Sequence, residues 1–138
     1  MARQIAISIG GHRFDAALEA GVAPRSSDWL LRHLPFQTKL IHVRWSGEAC
    51  WVPMGNLKVD LPPEEATRHP RPGQLILYPG GISETEMLIA YGAVAFASKA
   101  GPLAGNPLLT ITDKLDQLAE IGRDILWHGA KDLRIDLA

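Results

Sequence analysis

Short apolar strands, each stopped by glycine or proline, constrain what this chain can fold into more than any other feature. Ile5, Ile7 and Ile9 alternate with Ala6 and Ser8, the two-residue period of a strand. Gly10-Gly11 can supply the positive φ values of a tight hairpin turn, and Phe14, Ala16 and Leu18 alternate on the return. Further strands are expected at residues 37–45, 48–52, 75–78, 87–91, 94–98 and 108–111. Leu133, Ile135 and Leu137 alternate as a closing strand.

Two helices interrupt the strands. Pro24 suits a first helical turn, Ser26 or Ser27 is placed to cap it, and Leu30, Leu31 and Leu34 supply a buried stripe that Pro35 ends. Ile111, Leu115, Leu118, Gly122 and Ile125 recur at three- and four-residue steps, so a second helix is expected from near Thr112, ending at Gly129. Residues 57–72 are polar and carry Pro62, Pro63, Pro70 and Pro72. They read as a long loop, with room for one helical turn at 63–66. So many strands and so few helices do not make a βαβ sheet. The pattern predicts a mainly β protein: a closed eight-stranded barrel capped by two helices, formed by one domain over residues 1–138.

Composition narrows the function classes. The net charge is -1, so no basic field points to nucleic acid. No apolar run approaches the roughly 20 residues of a membrane span. The N-terminus passes directly into the first strand pattern and lacks the apolar core of a secretion signal. One cysteine, Cys50, excludes an internal disulfide and suits the cytoplasm. No Cys/His spacing matches a metal site, and the Gly101–Asn106 loop lacks the Lys and Ser/Thr of a phosphate loop, so no metal or cofactor is expected.

Several segments together carry a resemblance. Gly21-Val-Ala-Pro-Arg-Ser-Ser-Asp-Trp-Leu-Leu-Arg-His-Leu-Pro-Phe36 is similar to the segment after the first hairpin of cyclophilins. Gly73-Gln-Leu-Ile-Leu-Tyr-Pro-Gly-Gly81, followed by Tyr91-Gly92, resembles the small bacterial and archaeal cyclophilin-like proteins of unknown function. Arg44-Trp-Ser-Gly-Glu48 and Gly101-Pro-Leu-Ala-Gly-Asn106 fit the same group. The resemblance implies an eight-stranded barrel with a helix over each end, and ligand binding on its outer face. It does not imply prolyl isomerase activity. Ile41-His-Val-Arg44 keeps a His and an Arg at a different spacing, and the downstream Gln and Gly-Gly-Asp of true cyclophilins are missing.

Two constellations carry chemistry. If Ser46-Gly47 is a two-residue turn, His42 pairs with Trp51 and Arg44 with Ala49. His42, Arg44, Ala49 and Trp51 then share the outer face, while Ile41, Val43, Trp45, Cys50 and Val52 face the core. Arg44 offers a planar fork for a carboxylate, His42 a proton exchanged near neutral pH, and Trp51 a flat wall. The alternative is a solvated face whose Trp is covered by another element or a partner subunit. Glu84 and Glu86 are two apart, so on an extended chain they point the same way, and two like charges in one cleft push one pKa upward. A solvated strand edge would read the same way. Pro79-Gly80-Gly81 beside them allows close backbone approach to a ligand and favours a site.

The expected site therefore has Glu84, Glu86 and His42 as proton-transfer groups, with Arg44, Trp51, Tyr78 and Asn106 as ligand contacts. Cys50 reads as a buried small hydrophobe. Trp29 and Trp127 read as structural or interface residues, and His12, His33, His69 and His128 as residues outside the site. The expected function is small-molecule binding, as an enzyme or enzyme subunit of the hydrolase or isomerase class acting on a small carboxylate or cyclic amide. The alternative is a non-catalytic binding or assembly module, and a homo-oligomer is expected in either case.

Overall fold

The computed structural model describes residues 3–138; the opening Met1-Ala2, part of the N-terminus read above as lacking a leader, lies outside the described residues. The elements run β1 (Gln4–Ile9), β2 (His12–Leu18), α1 (Pro24–Arg32), β3 (Phe36–His42), β4 (Gly47–Pro53), β5 (Gln74–Tyr78), β6 (Glu86–Val94), β7 (Ala97–Ser98), β8 (Gly101–Pro102), β9 (Asn106–Ile111), α2 (Leu115–His128) and β10 (Lys131–Leu137). Eight strands close into a barrel in the order β1-β10-β3-β4-β6-β5-β9-β2, and β7 and β8 form a separate two-stranded ribbon. All strand pairs are antiparallel. Closure leaves no free strand edge in the barrel itself.

The alternation in the sequence fills the barrel. Ile5, Ile7, Ile9, Phe14, Ala16 and Ile135 are all fully buried in one cluster with Cys50, Val52, Leu75 and Ile89. Both helices add their apolar faces to that cluster, Trp29 and Leu30 from α1, Leu118, Ile121 and Ile125 from α2. They do so at opposite ends. α1 is tied to Asn106, where β9 begins, whereas Leu115 of α2 packs beside Gly73 and Ile111, where β5 begins and β9 ends. Gly122 is the point of closest approach of α2, because any side chain there would run into the Tyr91 ring.

Three expectations are corrected. Residues 94–98 are not a barrel strand: β6 continues to Val94, and the chain then leaves the barrel for the β7–β8 ribbon. The second helix begins at Leu115 and not near Thr112, because Thr112 N–H donates to the Asp15 carbonyl and the Asp113 carboxylate accepts from Asp15 N–H, which holds residues 112–113 against β2. Neither Ser26 nor Ser27 caps α1. Its N-cap is Ala23, with no side-chain cap of its own.

The cap comes from the long loop. No helical turn forms at 63–66, where Glu65 takes a left-handed φ of 52°. Glu64 accepts instead from the amides of Arg25 (3.0 Å) and Ser26 (2.8 Å) and from the Ser26 hydroxyl (2.6 Å). Its carboxylate thus satisfies donors that a helix start leaves open. Partial burial raises its pKa, but the Ser26 hydroxyl, the two amides and the Arg25 charge outweigh that and hold it below the ordinary value.

Asn106 completes the junction. Its side-chain oxygen accepts from Glu64 N–H (2.9 Å), and its amide donates to the Ser26 hydroxyl and the Pro62 carbonyl, both at 3.0 Å. Replacing Asn106 by Ala strands polar partners on two segments, the long loop and α1. Asn106→Ala is expected to lower stability by about 3 kcal/mol in urea denaturation with an unchanged slope.

Candidate functional site

The site begins with strands that are buried on both faces. β5 reads Leu-Ile-Leu-Tyr and β6 reads Met-Leu-Ile-Ala-Tyr, unbroken apolar runs instead of alternating ones. Leu75, Leu77, Met87 and Ile89 fill the barrel, while Ile76, Tyr78, Leu88 and Ala49 form a second cluster outside it. Phe96 and Leu103, from the segment that carries the ribbon, roof that outer cluster. Ser46 pins the roof, its hydroxyl donating to the Ala97 carbonyl (3.1 Å) and accepting from Ala97 N–H (3.0 Å).

A cleft of about 210 Å³ opens where the roof stops short of the barrel wall. It exceeds the ~150 Å³ that admits a benzene ring. Trp51, Trp45 and Val43 supply its apolar walls, and Arg44, Lys99, Glu84 and Glu86 its charged groups. Glu86 stands at the start of β6, paired with Tyr78 on one side and Pro53 on the other, on the same outer face as Trp51 and Leu88. It is 5% exposed. Burial lifts its pKa from the ordinary 4.5 to about 8, and the neighbouring Glu84 charge adds a smaller push. Glu84 itself is exposed. Glu86 therefore holds its proton at neutral pH, in a cleft that Arg44 and Lys99 also line.

One family matches residues 5–137, described as a protein of unknown function, DUF3830. The chain belongs to the DUF3830 family. No curated protein matches it. Its barrel is similar to a solved structure described as McbB in complex with tryptophan, with a TM-score of 0.75 and 19% identity. That match covers 97% of this chain and 44% of the other, so this chain spans less than half the length of McbB. Likeness at this identity establishes the fold.

The structure gathers Arg44, Trp51, Glu84 and Glu86 in one cleft, and places the other expected site residues elsewhere. The hairpin register is one residue away from the expected one: Ile41 pairs with Trp51 and His42 with Cys50, because the turn spans 43–46 and not Ser46-Gly47 alone. This reverses the faces of β3 while leaving those of β4 as expected. His42 consequently lies on the side of Cys50, with Nε2 2.7 Å from the Tyr91 hydroxyl and Nδ1 2.8 Å from the Val43 carbonyl oxygen. It does not line the cleft. Tyr78 packs edge-on against Phe96, with ring centroids 6.0 Å apart, beneath the roof. Asn106 spends its hydrogen bonds on the α1 junction. Cys50 is buried, its thiol raised to about 12 by desolvation, so it is not a nucleophile at neutral pH.

Trp45, expected to face the core, and Lys99 are the aromatic and charged cleft residues that sequence reasoning did not assign to the site. Trp45 falls beyond the end of β3, 56% exposed, with the Arg44 guanidinium 5.8 Å from its ring centroid. Lys99 sits in the turn of the ribbon. The unbroken apolar run 87–91 was the available signal: a strand buried on both faces needs a cover, and residues 95–104 are the next segment in the chain.

The raised Glu86 pKa makes stability depend on pH. Between 4.5 and about 8 the unfolded chain releases a proton that the folded chain keeps. The stabilisation is complete below 4.5 and is lost as pH rises through 8. Glu86→Gln is expected to flatten the melting temperature between pH 5 and 8, removing a slope that is at most about 1.4 kcal/mol per pH unit and is reduced by solvent in the cleft. Melting curves across that range check it.

Proposed function

We propose that this DUF3830 protein binds a small cyclic or aromatic carboxylate in the Trp51 cleft, and that Glu86 transfers a proton to it. The observation that supports this best is the buried carboxyl of Glu86, protonated at neutral pH, in a cleft with apolar walls that Arg44 and Lys99 also line. Arg44 and Lys99 are suited to the ligand carboxylate, Arg44 by a two-pronged contact. Trp51 and Trp45 are suited to the flat faces of a ring. Glu86 then donates its proton to a carbonyl or ring atom, as a general acid does when its pKa lies near the working pH. Burial keeps that pKa high, and the Glu84 charge adds to it. A hydrolase or isomerase acting on a small carboxylate or cyclic amide fits these parts. The tryptophan in the McbB structure is a ring compound bearing a carboxylate, and a ligand of that class is consistent with this cleft.

In calorimetry with benzoate and with tryptophan, Arg44→Ala is expected to weaken binding about tenfold, with unchanged melting. Glu86→Gln is expected to abolish turnover of a cyclic amide substrate while leaving binding within a few fold. Native affinity in Arg44→Ala together with native turnover in Glu86→Gln would sink the proposal.

A second reading is supported by a different observation. Trp127 is 78% exposed, beside Leu126 at 49%, at the end of α2. Such a pair suits a subunit contact, and a homo-oligomer formed there is compatible with an open cleft. Light scattering of the native protein is expected to give a mass above 15.1 kDa that falls towards it in Trp127→Ala. A native monomer rejects this reading.

A further inference from the structure

The turn between β3 and β4 supplies the Trp51 cleft with four consecutive residues, Val43, Arg44, Trp45 and Ser46. Arg44 and Trp45, its middle pair, are exposed. Their side chains meet each other, the guanidinium 5.8 Å from the ring centroid, and Arg44 enters no ion pair among the described residues. The backbone of the turn therefore decides where Arg44 stands.

That backbone is pinned at both ends. At the far end, buried Ser46 holds the roof through its hydroxyl, and its carbonyl accepts from Ala95 N–H (3.0 Å). At the near end, Val43 N–H donates to the Ala49 carbonyl (3.2 Å), as a strand residue does. The Val43 carbonyl is different: it faces the His42 ring, 2.8 Å from Nδ1. The other ring nitrogen, Nε2, lies 2.7 Å from the Tyr91 hydroxyl. A carbonyl oxygen can only accept, so Nδ1 carries the proton of the neutral ring and Nε2 accepts from Tyr91. Burial holds the Tyr91 hydroxyl above its ordinary pKa of 10, so it keeps the proton that it donates. Tyr91 is itself held. It is 7% exposed, and its ring lies so close to Gly122 of α2 that a Cβ there would come within 2.3 Å of it. One imidazole thus joins a core residue of β6 to the backbone of a cleft-lining turn.

We propose that His42 is a positioning residue for the Trp51 cleft: held by Tyr91, it fixes the Val43 carbonyl and with it the course of the chain through Arg44 and Trp45. The use of Arg44 on a carboxylate rests on the function proposed above; the anchoring of the turn by His42 and Tyr91 does not. His42 lies outside the cleft and touches no ligand. Without the anchor Arg44 must be ordered at the moment of binding, and that cost weakens the complex.

Three measurements on the full chain test the anchor. In the native protein, proton–nitrogen correlation spectra of the neutral His42 ring are expected to show the proton on Nδ1; a proton on Nε2 would overturn the anchor. Tyr91→Phe removes one hydroxyl and keeps the ring against Gly122. In this variant the proton–nitrogen Overhauser effects of the Arg44 and Trp45 amides are expected to fall while those of β3 and β4 hold, and unchanged values would overturn the anchor. In calorimetry, Tyr91→Phe is expected to weaken benzoate binding about fivefold, the effect of one hydrogen bond, and by less than about twofold when Arg44→Ala is already present. Equal losses in the two backgrounds, or no loss in either, would overturn the positioning role. If benzoate does not bind the native protein, the function proposed above fails, and the spectra alone decide the anchor. His42→Asn, which keeps a donor near the Nδ1 position and loses the bond to Tyr91, takes the place of Tyr91→Phe if that variant does not fold.

Discussion

The packing of Phe96 and Leu103 onto the outer face of β5 and β6 is the contact on which the candidate site depends. A barrel wall normally buries one face and wets the other. Here the wet face is roofed, so Ile76, Leu88 and Tyr78 are as buried as residues inside the barrel. The roof ends beside Trp51, and Glu86 lies at that margin. Its carboxyl is desolvated without a compensating cation in contact, and its pKa rises for that reason.

A second junction holds the opposite flank. Glu64 and Asn106 join the long loop, the start of α1 and the start of β9 through short, saturated hydrogen bonds. This explains how a stretch rich in proline and without regular structure keeps a defined course. It also places residues 55–60 against the loop that carries Glu84, through Thr85.

Much of the fold was legible because barrel strands repeat with period two and are separated by residues that break strands. Ile5-Ile7-Ile9 needs a core on one side only, and the structure supplies it. Arg44, Trp51, Glu84 and Glu86 stood out as polar or aromatic groups at strand ends, and they meet in one cleft. His42, Tyr78 and Asn106 stood out for the same reason but point to other neighbours. A single register step moved His42 to the inner face, and no local pattern distinguishes a two-residue turn at Ser46-Gly47 from the longer one that forms.

The sequence by itself determined the strand-rich architecture, the closing of the barrel by two helices and the family to which the chain belongs, because hydrophobic period and turn residues are local properties. Only the tertiary structure decided which carboxylate is buried, which histidine is inside and what covers β6. Those outcomes depend on contacts such as Ser46 with Ala97 and Glu64 with Ser26, between segments 51 and 38 residues apart. Burial and the pKa that follows from it are set by such distant neighbours, and a residue's own surroundings in the chain do not specify them.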